Sequence, residues 1–477
     1  MNFRNEYDVI VIGAGPSGVS AAIKCSEKGL KVLIIDSNGN SGGQIYRAPP
    51  KSYIKKKAKS LRENLIQMKL SEDLKKNNID TAYSHTVWQV SPGYKIDAFN
   101  DNGTIQWTAK NLIIATGTYE KIIPFEGWTT PGVIGLAACT VMLKSHQTLP
   151  GNKIILAGNG PLLILVAYYV LKFGGKVEAI IDTSTKFQWI KSMLPLITNP
   201  ENFIQGISWI LKIIFSRVPI YSNSMVTKAT NNTGEILVEL KNIKNKKVKK
   251  INTEVLAVGH GLTPSTDITR LLRVEHIYNE LKGGWIAKID RYFRSSMRNL
   301  YITGDGSGIS GAIAANDKGK LTAYAVLYDS NIINENEFKN KTDKILKKLN
   351  RYEIFAKGIA NLNSTPKELV ENIGNDTILC RCEDITKKEI IQAIKKGAKN
   401  LNQIKTWTRF GMGPCQGRTC HYSVARVVSE ELKCEVKDLS YLTGRTPIRP
   451  FPLVKAIGDF EYEEITKVEA APLLNYG

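Results

Sequence analysis

The chain has 477 residues, 43% hydrophobic and 23% charged, the composition of a soluble globular protein with room for roughly two to four domains. This excludes a disordered chain, and no apolar run is long enough to span a bilayer. The formal net charge of +21 is unusual, but the lysines are scattered among Asn and Ile. They are not striped along one helix with aromatics between them, which argues against nucleic acid and for solubility or attraction to an acidic protein.

Tyr7–Ile12 reads as a buried parallel strand, followed by Gly13-Ala-Gly15-Pro-Ser-Gly18, a helix-compatible run, and a second strand ending on Asp36. Strand, glycine loop, helix, strand and terminal acid together form a dinucleotide-binding unit. Gly13 permits the tight turn, Gly15 lets backbone amides approach a pyrophosphate, and Gly18 allows close helix–strand packing. Asp36 accepts hydrogen bonds from the ribose hydroxyls. Because the first apolar run feeds straight into this loop, it is not an export signal. Gly42-Gly-Gln44 follows as a loop beside the same cofactor, with Gln44 offering its amide.

Leu112-Ile-Ile-Ala115-Thr116-Gly117 and Asn299-Leu-Tyr-Ile-Thr-Gly304-Asp305-Gly306 each read as a strand ending in a small-residue turn. They resemble the later signatures of flavoproteins built from two dinucleotide-binding folds. That resemblance implies FAD, with Ala115, Thr116 and Gly117 near the flavin and the Gly304-Asp305 carboxylate on the ribityl or pyrophosphate portion.

Between these signatures, Lys153–Gly158-Asn-Gly160-Pro-Leu-Leu163 and Lys176–Asp182 predict an inserted second fold. Leu163 stands where a third glycine would, which argues against an NAD(P)H site. An adenine nucleotide and an empty structural fold both remain open. Phe187 to Ile220 carries Trp189, Phe203, Trp209 and Phe215, and Pro195 and Pro200 are expected to divide it into two helices with apolar faces. It is read as packing on the body or on a neighbouring protein of the same complex. The lesser reading is a peripheral membrane contact, with Lys191, Lys212 and Arg217 at its flanks.

Residues 331–375 read as a polar helical connector, with helix around Thr342 to Ala360. Beyond it lie Cys380-Arg-Cys382 and Cys415-Gln-Gly-Arg-Thr-Cys420, four of the seven cysteines. Short helices are expected at Ile385–Ala398, with Thr386 as N-cap, at Leu401–Phe410 and at Thr419–Leu432, leaving Cys415 on a loop and Cys420 in a first helical turn. Arg381 and Arg418 would offset thiolate charge. The donors suit zinc, but beside a flavin fold a one-electron 2Fe-2S carrier makes better chemical sense. Cys25, Cys139 and Cys434 read as bystanders. The absence of C-x-x-C argues against a redox dithiol, and metal-ligand spacing without an export signal points to a reducing cytoplasm.

Cys380-Arg-Cys382-Glu-Asp and Trp407-Thr-Arg-Phe-Gly-Met-Gly-Pro-Cys415-Gln-Gly-Arg-Thr-Cys420, with Gly42–Arg47, Gly158–Leu163 and Gly304–Gly306, resemble the A or α subunits of heteromeric amino and imino acid dehydrogenases. These are the opine oxidase, D-hydroxyproline dehydrogenase and hydrogen cyanide synthase types, with a bacterioferritin-associated-ferredoxin-like 2Fe-2S domain. The resemblance implies a D-amino-acid-oxidase-like β subunit that oxidises the C–N bond with its own FAD. Electrons then pass through an FMN near the subunit interface and the cluster on Cys380, Cys382, Cys415 and Cys420 to a downstream acceptor. It implies no catalytic residue in this chain. The alternatives are an NAD(P)H-dependent ferredoxin or iron–sulfur reductase and a non-enzymatic redox sensor.

The expected class is therefore α/β, with two nested Rossmann-like folds and a small α-helical 2Fe-2S domain. The FAD fold spans 1–125 and 266–330, the second fold 126–265 with a helical insertion at 187–220, the connector 331–375, the cluster domain 376–445 and a tail 446–477.

Overall fold

The computed structural model describes residues 3–49, 62–232 and 234–456; the last part of the expected tail lies outside the described residues. The strand Glu6–Ile12 sits inside a seven-stranded sheet, parallel to Val32–Asp36 on one side and to Gly103–Ile114 on the other. In space the order is Asp80–Tyr83, Val32–Asp36, Glu6–Ile12, Gly103–Ile114, Lys95–Asn100 and Thr86–Ser91. Leu300–Ile302 returns from far along the chain to pair in parallel with Gly103–Ile114. The unbroken run Val9-Ile-Val-Ile12 follows from burial on both faces. Ile10 and Ile12 enter one core, whereas Val9 and Val11 enter another beneath the helices Pro16–Ser26 and Ala312–Asp329. Gly18 lets the first of these helices lie on its loop, since a Cβ there would stand 1.9 Å from the Gly13 carbonyl oxygen.

The second fold has its own parallel sheet, ordered Ile220–Ser222, Lys176–Asp182, Lys153–Gly158, Val255–Gly259 and Val133–Gly135. An antiparallel layer of Ser224–Asn232, Glu235–Asn242 and Val248–Thr253 covers one face, with Val226, Val238 and Leu240 sharing a core with Leu256 of the parallel sheet. Helices Pro161–Lys172 and Pro200–Phe215 cover the other.

The aromatic insertion forms two helices, but their division differs from the expected one. Lys186–Ile197 runs through Pro195, and the break falls at Thr198 and Asn199. Proline costs a helix an N–H and crowds the preceding turn; at the last turn this is tolerated. The next helix starts because Asn199 caps it and Pro200 occupies its first position.

The connector is a long helix, Glu335–Leu362, followed by a short one, Lys367–Glu371, and the long helix exceeds the expected one because Asn334 caps it ahead of Glu335 and Glu337. It is no loose linker, since Phe338, Leu349, Phe355 and Leu362 are buried.

The C-terminal helices are Lys387–Lys395, Leu401–Thr408 and His421–Leu432, packed round Leu379, Ile390, Ile404, Phe410, Val424 and Val428. Thr386 makes a capping box with Glu389. Cys420 is the N-cap residue of the third helix and lies just before its first turn. This core continues into Ile123 at the end of the first fold's first part and Met225 of the second fold. The Trp128 indole N–H also donates to the Ile378 carbonyl at 2.7 Å, so the small domain is docked on the body.

Candidate functional site

Two chain crossings build the first candidate nucleotide site. Gly13 turns with φ +112°, and a Cβ there would stand 2.4 Å from the Ala115 carbonyl oxygen, so the glycine loop backs directly on Ala115–Gly117. Ser17 and Thr303 hydroxyls meet at 2.9 Å and join the loop to the Gly304-Asp305 turn. Gly13, Gly15, Asp36, Gln44, Ala115, Thr116, Gly117, Gly304 and Asp305 all line one cavity of about 1080 Å³. Gly18 does not line it and lies beneath the loop.

The carboxylates at its lip are held by the backbone. Asp36 accepts from the Ala14 N–H at 2.6 Å and from the Asn38 N–H and side-chain amide at 2.7 and 2.8 Å. Asp305 accepts from the Ser310 and Gly311 N–H groups at 2.9 and 3.1 Å, at the start of the helix Ala312–Asp329. Two helix N-termini, at Pro16 and Ala312, thus converge on the cavity, an arrangement suited to phosphate oxygens.

Lys318, which the sequence did not single out, is buried under the turn and donates to the Gly304 and Gly308 carbonyls at 3.1 and 2.7 Å. Burial pushes its ammonium down to about 8. Glu120 and Lys121 also border the cavity. The Glu120 carboxylate accepts from the Ala137 N–H at 2.9 Å, and burial pushes it up to about 8. Lys121 is pushed down to about 8, again by burial, and lies 4.5 Å over the Tyr422 ring.

The second glycine loop is filled by the protein itself. A Cβ on Gly160 would stand 1.7 Å from Asn363 Oδ1, at the C-cap of the long helix. Asn159 donates to the Ser364 carbonyl at 3.0 Å, Ser184 to the Leu362 carbonyl at 3.2 Å, and Gln188 to the Ser364 hydroxyl at 3.0 Å. Asp182, the acid that would reach a ribose, instead accepts from the Ser184 N–H and the Trp189 indole N–H, both at 2.8 Å. Leu163 is fully buried in the core. Beside Gly158 and Thr183 remains a cavity of about 10 Å³, the size of one water. No spacing in the sequence announced residues 362–364 as the occupant.

The four expected cysteines are brought together, with Cys420 beside Cys380 and Cys415, and Cys415 beside Cys382. Among the described residues no three or more His, Cys, Asp or Glu side chains surround one point as a mononuclear ion requires. Hydrogen bonding from Cys420 draws Cys415 down to about 4 and Cys380 down to about 6, whereas Cys420, bonded to both, is raised. Burial pushes Cys25 and Cys139 up to about 12.

Arg418 does not flank the thiols as expected. One of its nitrogens donates to the Cys415 carbonyl at 2.9 Å, while its Nε donates to the Asp267 carboxylate at 2.9 Å and the Tyr119 hydroxyl at 3.1 Å. Arg449 from the tail donates to the same two groups. Tyr119, Asp267 and Arg449 line the cavity, so a single guanidinium spans from the cysteine loop to the cavity wall.

Residues 7–319 match the family described as pyridine nucleotide-disulphide oxidoreductase, and residues 376–458 match the sarcosine oxidase A3 domain. The chain is 29% identical over 467 residues to the A subunit of opine oxidase from Rhizobium meliloti, covering 95% of this chain and 88% of that one. It is 28% identical over 458 residues to the HcnB subunit of hydrogen cyanide synthase from Pseudomonas aeruginosa, covering 93% and 97%. It is 21% identical over 494 residues to the alpha subunit of sarcosine oxidase from a Corynebacterium species, 98% of this chain but 46% of that one. The solved structure of L-proline dehydrogenase from P. horikoshii shares the fold with a TM-score of 0.70 at 19% identity, over 95% of this chain and 80% of that one. Among the described residues no helix is long and apolar enough to cross a membrane. With a match over most of its length and two glycine-loop sheets of the matching architecture, the chain belongs to the pyridine nucleotide-disulphide oxidoreductase family of flavin-dependent oxidoreductases.

Proposed function

We propose that this chain is the electron-transferring flavoprotein subunit of a multi-subunit dehydrogenase acting on the C–N bond of an amino or imino acid, of the opine, D-hydroxyproline, proline, sarcosine or glycine class. The relatives named as subunits of opine oxidase, hydrogen cyanide synthase and sarcosine oxidase support this reading. Substrate oxidation then belongs to a D-amino-acid-oxidase-like partner, with an FMN at the junction, and this chain passes the electrons to an external acceptor.

FAD is the cofactor that the first cavity fits. The glycine loop leaves room for a pyrophosphate, the two helix N-termini supply donors, and Asp36 and Asp305 are held where ribose and ribityl hydroxyls would lie. The cysteine centre, with Cys380, Cys382, Cys415 and Cys420 brought together, has the four-thiol donor set of a 2Fe-2S cluster. A flavin takes up two electrons at once and releases them singly, and such a cluster carries one at a time. The observation that carries the proposal is Arg418, whose guanidinium joins the Cys415 backbone to Tyr119 and Asp267 at the cavity wall. It ties the cysteine loop to the wall of the cavity.

An NAD(P)H-dependent reductase needs the second nucleotide site, and Asn363 and Trp189 take the space and the acid that a nicotinamide nucleotide would use. The test is anaerobic purification of the chain with its native partners. The expected result is FAD on extraction, about two irons and two acid-labile sulfides per chain, and flavin that stays oxidised on mixing with NADH or NADPH. One zinc with no sulfide, or prompt bleaching by either nucleotide, would overturn the proposal.

A further inference from the structure

Helices Lys186–Ile197 and Pro200–Phe215 are apolar on two sides. The inner sides have partners: Trp189, Trp209 and Ile213 enter the core of the second fold. A Cβ on Gly358 of the long helix would stand 2.9 Å from Pro195 Cβ, so those helices are in close contact. The outer sides have none among the described residues. Phe187, Leu194 and Phe215 are 72–79% exposed, and Ile204 and Ile214 are 56–65% exposed. Positions 187, 194 and 197 on the first helix, and 204, 211 and 214 on the second, are seven and three residues apart, so each helix carries an outward stripe, while Ile190 and Ile207 border the cavity that begins at Gly13. A surface helix of a globular protein needs one apolar stripe, and a second one calls for a second apolar medium.

The chemistry of the outer side selects that medium. The charged residues of the hairpin are Lys186, Lys191, Lys212 and Arg217, with Glu201 the single acid. A protein partner would be met by about one hydrogen bond per 100–200 Å² across a polar rim. This face instead offers aliphatic and phenyl groups fringed by cations, as interfacial helices do. The whole chain adds a net charge of +21.

We infer that the hairpin 186–217 seats the protein on the surface of an anionic lipid bilayer. The outward stripes enter the boundary between headgroups and acyl chains, and the four cations face lipid phosphates. The contact is peripheral, and it is argued from the hairpin alone, whichever cofactors the chain carries. Its inner residues Trp189, Phe203 and Trp209 wall the far end of the cavity that begins at Gly13, so a seated protein holds that end against lipid.

The test is flotation of the full-length protein with vesicles of phosphatidylcholine containing phosphatidylglycerol, against vesicles of phosphatidylcholine alone. Wild type should float with the anionic vesicles. Ile204→Asp with Phe215→Asp should lower partitioning by at least about tenfold, and Lys191→Gln with Lys212→Gln by roughly fivefold per lysine. Both sites of the first pair are more than half exposed, so its melting midpoint should match wild type. If it does not, the lysine pair gives an independent measure. Failure of wild type to float, undiminished flotation of the Ile204/Phe215 variant, or hydrogen-exchange protection of 187–215 by another protein of the purified complex would each overturn the inference.

Discussion

Asp267→Asn should loosen the junction between the flavin fold and the cysteine domain more than any exposed ion-pair change. The Asp267 carboxylate accepts from Arg270 at 2.8 Å, from Arg418 at 2.9 Å, from Arg449 at 3.0 Å and from the Tyr119 hydroxyl at 2.6 Å. Its side chain is 5% exposed, those of Arg270 and Arg418 12% each, and that of Arg449 29%. Asparagine keeps the shape and removes the charge that three guanidiniums share. An exposed pair is worth about 0–1 kcal/mol, whereas removing one partner of a buried pair costs roughly 3–5 kcal/mol because the remaining charge is stranded. The burial of Arg270 and Arg418 places this site in the second regime, with a smaller share from Arg449, which water screens. A chain of several domains need not unfold in one step, so the readout is the calorimetric transition of the cysteine domain, compared across Asp267→Asn, Arg449→Met and the double variant. A loss within about 1 kcal/mol, or strict additivity of the two changes, would refute the claim that this carboxylate is the buried hub of the junction.

Two further predictions follow from buried groups. Glu120 keeps its proton in the folded chain up to about pH 8 but releases it at its ordinary value of 4.5 when unfolded. Its contribution to stability is therefore full below about 4.5 and is lost as pH rises through about 8. Glu120→Gln should flatten the fall of melting temperature across that window, and an unchanged slope would rule the carboxyl out as its source. Lys121, lowered from 10.5 to about 8, acts in the opposite sense above that window and does not mask it. Gly13→Ala forces a methyl into a left-handed turn and against the Ala115 carbonyl. Flavin content of the purified protein should drop at least tenfold, and retention of bound flavin at the wild-type level would place the cofactor elsewhere.

Much of the fold was legible because its signals are local. Val9–Ile12, the glycine loop and Asp36 lie within one short stretch, and burial on both faces leaves such a run little choice but a central parallel strand. Boundaries were less legible where a cap competed with a breaker. Pro195 looked like an end, yet at the last turn it costs little, and Asn199 with Pro200 decided where the next helix begins. The connector looked polar because only one side of Glu335–Leu362 is buried, through residues as widely spaced as Phe338 and Phe355.

What the sequence concealed is contact between distant segments. Asn363 carries no motif, and its place over Gly160 follows only from how the long helix crosses the hairpin. Arg418 shows the same limit in chemical terms. Its place between two cysteines suggests a counter-charge for thiolates, but a guanidinium has several donors in a fixed planar fork and seeks matching oxygen acceptors. Thiols are weak acceptors. The Cys415 and Ile448 carbonyls, the Tyr119 hydroxyl and the Asp267 carboxylate together use Nε and both terminal nitrogens. The side chain therefore turns from the sulfurs toward the cavity wall. A residue read as charge compensation for the cysteines is thus, by the geometry of its donors, the strut that holds their loop in register with the flavin fold.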